Sequence, residues 1–216
     1  MKNIAEFALI IMTTICLLSG CSTAQEPTIN KKTSGVLTDK KVLIVYLSRT
    51  KNTKAIAEII HKNVGGELVE LELEKPYPEN YKAIVEQVAK ENETGFLPPL
   101  KTKIDGIEKY DAVFVGFPTW GMQLPPPMKS FLRQYDLSGK TVIPFNTNAG
   151  YGIGSSFQTV KELCPKSQIL EGFSTKGGIE RDGILFVMEG EKKIEAQTKV
   201  NEWLQKIGLR QSVRAN

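Results

Sequence analysis

Val42-Leu43-Ile44-Val45-Tyr46-Leu47 runs directly into Ser48-Arg49-Thr50-Lys51-Asn52-Thr53, and this stretch decides the fold. An apolar, β-branched run with no polar interruption predicts a central strand, covered by other elements on both faces. The hydroxyl-rich segment after it opens a helix over about 53–64, with Ile56, Ile59 and Ile60 on one stripe and Gly65-Gly66 to stop it. A buried strand passing through a short polar loop into an amphipathic helix is the opening unit of an alternating α/β chain.

The rest of the folded segment repeats that alternation. Val69, Leu71 and Leu73 alternate with Glu70, Glu72 and Glu74, which predicts a half-exposed strand at a sheet edge. Tyr81, Ile84, Val85 and Val88 recur at helical spacing over 80–92, and Ala112-Val113-Phe114-Val115-Gly116-Phe117 is a second fully apolar strand. Pro125-Pro126-Pro127 fits the first turn of a helix that places Met128, Phe131, Leu132 and Tyr135 on one face. Thr141-Val142-Ile143-Pro144-Phe145 reads as a third buried strand, in which Pro144 is out of place because it lacks a donor. A helix over about 154–164, a short strand at Gln168-Ile169-Leu170-Glu171 and a final helix over about 192–207 complete the series. Five strands interleaved with helices predict a three-layer α/β sandwich around an open, mostly parallel sheet, in one domain over 41–210 with a tail at 211–216. Ligands of such sheets bind beyond the carboxyl ends of the strands, where strand order switches.

Residues 1–20 are set apart from this unit. Lys2 is followed by the apolar run Phe7-Ala8-Leu9-Ile10-Ile11-Met12 and then Thr13-Thr14-Ile15-Cys16-Leu17-Leu18, too short to span a bilayer and suited to an export signal. It ends in Leu18-Ser19-Gly20-Cys21, which resembles the bacterial lipoprotein signal and implies that Cys21 becomes a lipidated N-terminus. Residues 21–40 then form the lipidated cysteine and a polar tether, whose typical span of roughly 25 Å would keep the folded unit near the bilayer surface but outside it. The expected location is the cell envelope. In a host with two membranes, Ser22 rather than Asp after the cysteine resembles export to the outer membrane.

Composition narrows the chemistry. The chain carries 28 Lys and Arg against 24 Asp and Glu, a surplus of +4 without a dense basic cluster, which argues against a nucleic-acid partner. A single histidine, His61, excludes metal sites that need two imidazoles, and its polar neighbours predict a surface position. Cys164 is the one thiol left once Cys16 leaves with the signal and Cys21 takes the lipid. It lies on the apolar stripe of a helix and is expected to be buried and unreactive.

Three strand-end loops carry the candidate site. Ser48 through Thr53 (Ser48, Arg49, Thr50, Lys51, Asn52, Thr53) offer hydroxyls and helix N-terminal N–H groups to a phosphate, without the glycines of a Walker A loop. Pro118-Thr119-Trp120-Gly121 ends the second buried strand with an indole able to cover a flat ring. Thr147-Asn148-Ala149-Gly150-Tyr151-Gly152 follows the third buried strand, with glycines that admit close backbone approach and a second aromatic face.

In this order the three loops resemble the flavodoxin-like family over nearly all of 41–210, through Ser48-x-Thr50-x-x-Thr53, Val115-Gly116-Phe117-Pro118-Thr119-Trp120-Gly121 and the Gly/Tyr loop. The resemblance implies a five-stranded parallel sheet of order 2-1-3-4-5 that binds FMN. By position, Ser48–Thr53 would hold the phosphate. Thr119, Trp120 and Gly121 would border one side of the isoalloxazine, with Thr147, Asn148, Gly150, Tyr151 and Gly152 on the other. The resemblance further implies that the Gly121 peptide can reorient and so tune the flavin's redox steps. Lys51 stands where the family's loop often has glycine, and the chain is basic where familiar carriers are acidic. Segment 174–188 is extra: an added strand or hairpin on the plain reading, a flap beside the flavin on the other. No side chain reads as a dedicated acid, base or nucleophile. Two functions fit: an FMN electron carrier serving a redox partner protein, or an NAD(P)H- or quinol-linked FMN oxidoreductase acting on a small-molecule acceptor such as a quinone, flavin or nitro compound.

Overall fold

The computed structural model describes residues 40–209. The expected signal peptide, Cys21 and the tail at 211–216 lie outside the described residues, as does the tether but for Lys40. The strands are β1 (Val42–Tyr46), β2 (Glu67–Glu70), β3 (Ala112–Pro118), β4 (Thr141–Asn148), β5 (Gln168–Ile169) and β6 (Phe173–Lys176). The helices are α1 (Asn52–Val64), α2 (Tyr81–Thr94), α3 (Pro126–Gln134), α4 (Ser156–Leu163) and α5 (Gly190–Lys206). All sheet pairings between these strands are parallel, in the order β2-β1-β3-β4-β5. This is the order 2-1-3-4-5 that the resemblance implied, with β2 at the edge as expected, although it spans Glu67–Glu70 and leaves Leu71 to Glu74 of the expected alternation outside it but for an isolated bridge at Leu73.

Alternate residues of the central strands point to opposite faces, so each face has its own core. Ile44, Phe114, Ile143 and Phe145 pack with Ile56 and Ile60 of α1 and Val200 and Leu204 of α5. Leu43, Val45, Val113, Val115 and Phe117 face the other way, onto Met128 and Phe131 of α3 and Val160 of α4. Both layers are needed because β1 is buried along its whole length.

Pro144 finds its place through a break in the neighbouring strand. The carbonyl of Val142 accepts from Leu170 N at 3.1 Å, so Val142 faces β5, and Pro144, two residues on, faces the same side. There β5 has ended at Ile169 and β6 has not begun until Phe173. The donor that proline lacks would have pointed into that gap. The fifth sheet position is thus filled by two short pieces, so the beginning of segment 174–188, expected as an added strand or hairpin, instead completes the fifth strand along β4.

His61 departs from the surface position expected of it: the residue is half-buried, and its Nδ1 is enclosed with no hydrogen-bond partner among the described residues. Cys164 is buried at the end of α4, and burial pushes its thiol up to about 11. Among the described residues no helix is long and apolar enough to cross a membrane.

Gly116 is the tightest point of the sheet. It pairs with Phe145, and a Cβ at 116 would overlap the fully buried Phe145 ring. Gly116→Ala should destabilise the fold by about 1–3 kcal/mol, read as a lower urea midpoint at unchanged m-value. Cys164 should alkylate far more slowly in native than in unfolded protein at pH 8. Because its folded pKa lies above the unfolded one, the stability it contributes is fully present below about pH 9 and lost as pH rises toward 11. Cys164→Ala should remove that part of the alkaline slope.

Candidate functional site

The first loop is shaped by strain at one residue. Lys51 precedes α1 with φ 63°, left-handed, where glycine would be relaxed. Lys54 N donates to Ser48 Oγ at 3.1 Å and Ala55 N to the Lys51 carbonyl at 3.0 Å. The N–H groups of Thr50, Lys51, Asn52 and Thr53 meet no acceptor among the described residues. Four open donors at the positive end of a helix are suited to receive an anion.

The side chains of this loop divide into posts and donors. Asn52, 3% exposed, gives Nδ2 hydrogen bonds to Thr50 Oγ1 at 2.8 Å and to the Leu185 carbonyl at 2.6 Å, and its Oδ1 accepts from Val187 N at 3.1 Å. Thr53 Oγ1 bonds Thr147 Oγ1 at 2.8 Å in a buried contact that joins the first loop to the third. Thr50, already accepting from Asn52, keeps its own hydroxyl proton to give. Arg49 points elsewhere. Its Nε meets Glu180 Oε1 at 2.6 Å and its Nη1 the Pro78 carbonyl at 3.0 Å, which pins the β2–α2 connection to the short 3₁₀ turn Glu180–Asp182.

In the second loop Thr119 is held from three sides: its N donates to the Thr147 carbonyl at 2.9 Å, its hydroxyl donates to the Gly152 carbonyl at 3.0 Å and accepts from Asn146 Nδ2 at 2.9 Å. Trp120 to Gln123 form a tight turn closed by Gln123 N to the Trp120 carbonyl at 3.0 Å. Gly121 at φ 55° and Met122 at φ 59° make it a primed turn of type I′. Reversing the single peptide between them gives type II′, which needs a positive φ only at Gly121 and releases Met122 from its strain. The Trp120 ring meets Tyr77 edge to face at 5.4 Å. Tyr77 donates to Glu91 at 2.5 Å, and burial with that carboxylate holds its hydroxyl well above the usual phenol range.

The third loop is wrapped around one side chain. Asn148 Oδ1 accepts from Gly150 N at 2.8 Å and Gly152 N at 3.2 Å, a closure that uses the left-handed φ of both glycines. Tyr151 is 66% exposed, and its hydroxyl accepts from Arg181 Nη2 at 3.3 Å.

One open cavity of about 920 Å³ joins the three loops. Arg49, Thr50, Asn52 and Thr53 line it from the first, Pro118, Thr119, Trp120 and Gly121 from the second, and Thr147, Asn148, Tyr151 and Gly152 from the third. Ser48, Lys51 and Gly150 shape the loops without lining it. Gly177 to Arg181 line it too, so the extra segment supplies both the second half of the fifth sheet position, β6, and a cavity wall. Sequence reasoning passed over the inner face of α2, which also lines the cavity, because its helical spacing read as core. The Gly177-Gly178 pair was the available signal for the wall. Among the described residues no group of His, Cys, Asp or Glu could hold a metal ion.

A family model described as Flavodoxin matches residues 41–189. Among solved structures, a candidate flavoprotein from Bacteroides eggerthii is similar at 28% identity and TM-score 0.64, over 80% of this chain and 100% of that one. Another from Bacteroides uniformis gives 23% identity and TM-score 0.62, over 77% and 98%. A flavoprotein in complex with FMN from Lactobacillus acidophilus gives 24% identity and TM-score 0.56, over 67% and 98%. No curated protein matches.

Asn52→Ala should test the clamp directly. Removing it leaves the Val187 N–H and the Leu185 carbonyl without partners, so stability should fall by about 2 kcal/mol in urea unfolding. Limited proteolysis should then cut first within 183–187, while wild type resists.

Proposed function

We propose that this chain, which belongs to the flavodoxin family, binds FMN in the three-loop cleft and passes electrons at the bacterial cell envelope, tethered there by a lipid on Cys21. The observation that carries the reading is the convergence of three loops, far apart in sequence, on one cavity.

The residues present fit the cofactor. A terminal phosphate suits the four open N–H groups from Thr50 to Thr53 and the Thr50 hydroxyl, a set of neutral donors reinforced by the α1 dipole. No Arg is required, which agrees with Arg49 being engaged by Glu180. Trp120 and Tyr151 supply aromatic surface for a flat ring, Trp120 braced by Tyr77 and Tyr151 by Arg181. A Cβ at Gly121 or Gly152 would meet no protein atom, and both line the cavity, so both positions keep backbone close to the ligand. Bound FMN supplies the capacity to accept and release one or two electrons. The protein's part is to hold the ring and to offer a carbonyl on the turn at Gly121 that can point either way.

Envelope tethering is supported by the sequence before the fold, Leu18-Ser19-Gly20-Cys21 after the apolar run. The +4 charge speaks for partners other than the basic proteins on which acidic carriers dock.

Thr50→Ala should weaken FMN about tenfold while leaving riboflavin, which has no phosphate, unchanged in flavin-fluorescence titrations. Equal losses would put the phosphate elsewhere. Gly121→Ala should retain FMN yet lower the potential for the first electron by roughly some tens of millivolts, because type II′ needs glycine at that position. An unchanged potential in spectroelectrochemistry would remove the turn from electron transfer. Cys21→Ser should shift the protein from the membrane to the soluble fraction and abolish its acyl mass. A variant that stays acylated at the membrane would refute the anchor.

A further inference from the structure

The cavity does not end at Trp120. It continues along α2, walled by Tyr81, Ile84, Val85, Val88 and Ala89, as far as Asn92 and Glu93 and, from the turn, Gln123. Eleven residues separate Tyr81 from Asn92, about 16 Å of helix. Only Ile84, Val88 and Glu91 of α2 are buried, while Tyr81 is 40% and Val85 46% exposed, so an apolar helix face is left toward this groove. At about 920 Å³ the whole space lies near the top of the roughly 300–1,000 Å³ range of small-molecule sites.

The far end of the groove has a defined polarity. Lys129 of α3 donates to Asn92 Oδ1 at 2.8 Å and Gln123 Oε1 at 3.4 Å, and among the described residues it has no carboxylate within ion-pair distance. Both carboxamide oxygens are thereby turned to the ammonium. The polar atoms left to Asn92 and Gln123 are their amide nitrogens, which donate to nothing among the described residues. Apolar walls ending in neutral N–H donors beside the Glu93 carboxylate select a ligand that is mostly apolar and carries a neutral oxygen acceptor rather than an anion. A carboxylate would be disfavoured, since Glu93 lines the same end and the Lys129 ammonium is engaged by the two carboxamide oxygens.

We propose that the α2 groove is a second binding site, beside the flavin cleft, for a quinone-class compound: a flat apolar ring lying along Val85, Val88 and Ala89 with a carbonyl oxygen accepting from Asn92 and Gln123. The FMN reading gives this site its purpose, a small-molecule electron acceptor next to the cofactor; its recognition rests on α2 and the turn alone. Lys129 acts as a positioning residue, orienting the two amides.

Calorimetric titration of the oxidised, FMN-loaded protein with duroquinone, and with durene as the same shape without oxygens, tests it in the absence of electron flow. Wild type should bind duroquinone at least tenfold tighter than durene. Asn92→Leu should bring duroquinone to the durene level while durene itself is unaffected, a split that mere loss of packing would not give. Ala89→Trp, on an exposed position, should fill the groove and abolish duroquinone binding with FMN affinity unchanged. Absent binding to wild type, binding that survives Ala89→Trp, or equal affinity for the two rings would each overturn the proposal. Loss of FMN from Ala89→Trp would place the flavin itself in the groove and overturn it as well. If wild type takes no FMN, the cofactor reading fails separately, and the same variants read on apoprotein still decide for or against the groove.

Discussion

Where a parallel sheet runs out, its backbone groups lose their partners, and here the carboxamide of Asn146 takes over. The side chain is fully buried at the end of β4. Its Nδ2 donates to the Phe117 carbonyl at 3.1 Å and to Thr119 Oγ1 at 2.9 Å, and its Oδ1 accepts from Asn148 Nδ2 and Ser174 Oγ, both at 3.2 Å. Both donor hydrogens and both acceptor sites are used. One residue therefore fixes the end of β3, the end of its own strand and the start of β6. The Thr53–Thr147 bond adds α1 to the set, and Asn52 adds the chain at 185–187. Such a network is costly if half made and rigid when complete. Its completeness holds three loops of polar and glycine residues in fixed positions around one cleft.

The layers and the sheet order were readable because each buried strand announces itself by composition and each helix by period. β1 and β3 are apolar on both faces, and only a strand between two helical layers can be so. What stayed hidden depends on distance along the chain. Arg49 sits inside a loop that reads as an anion site, yet its partner Glu180 lies 131 residues away, and nothing local distinguishes an arginine that binds a ligand from one that ties down a turn. The split of the fifth sheet position was equally invisible, since β5 and β6 are too short to carry a pattern. Pro144 did mark the gap, but from the neighbouring strand.

Helix α2 shows a different limit. Periodicity reports that a helix has an apolar face, not what covers it. Ile84 and Val88 are buried while Val85 and Ala89, one residue further round, are exposed, yet all four line the cavity. A stripe wider than the core requires is the trace such a wall leaves in sequence, and at one helix it is indistinguishable from ordinary amphipathic excess.

Strain marks the two ends of the three-loop cleft. Among the described residues only Lys51 and Met122 combine a side chain with a positive φ, and they lie in the first and second loops. Neither is an accident of a poor turn. Lys51 in the left-handed region followed by the helical Asn52 brings successive N–H groups round to one concave point, the geometry of an anion nest, and a relaxed residue there would splay them. Met122 is held by Ser155 N, which donates to its carbonyl at 3.0 Å, an approach possible because a Cβ on Gly154 would overlap that carbonyl. The strain at Met122 disappears if the Gly121 peptide turns over, so the surrounding contacts and the local backbone preference oppose each other across one bond. A rigid polar network at the strand ends supplies the support against which both strained residues are held.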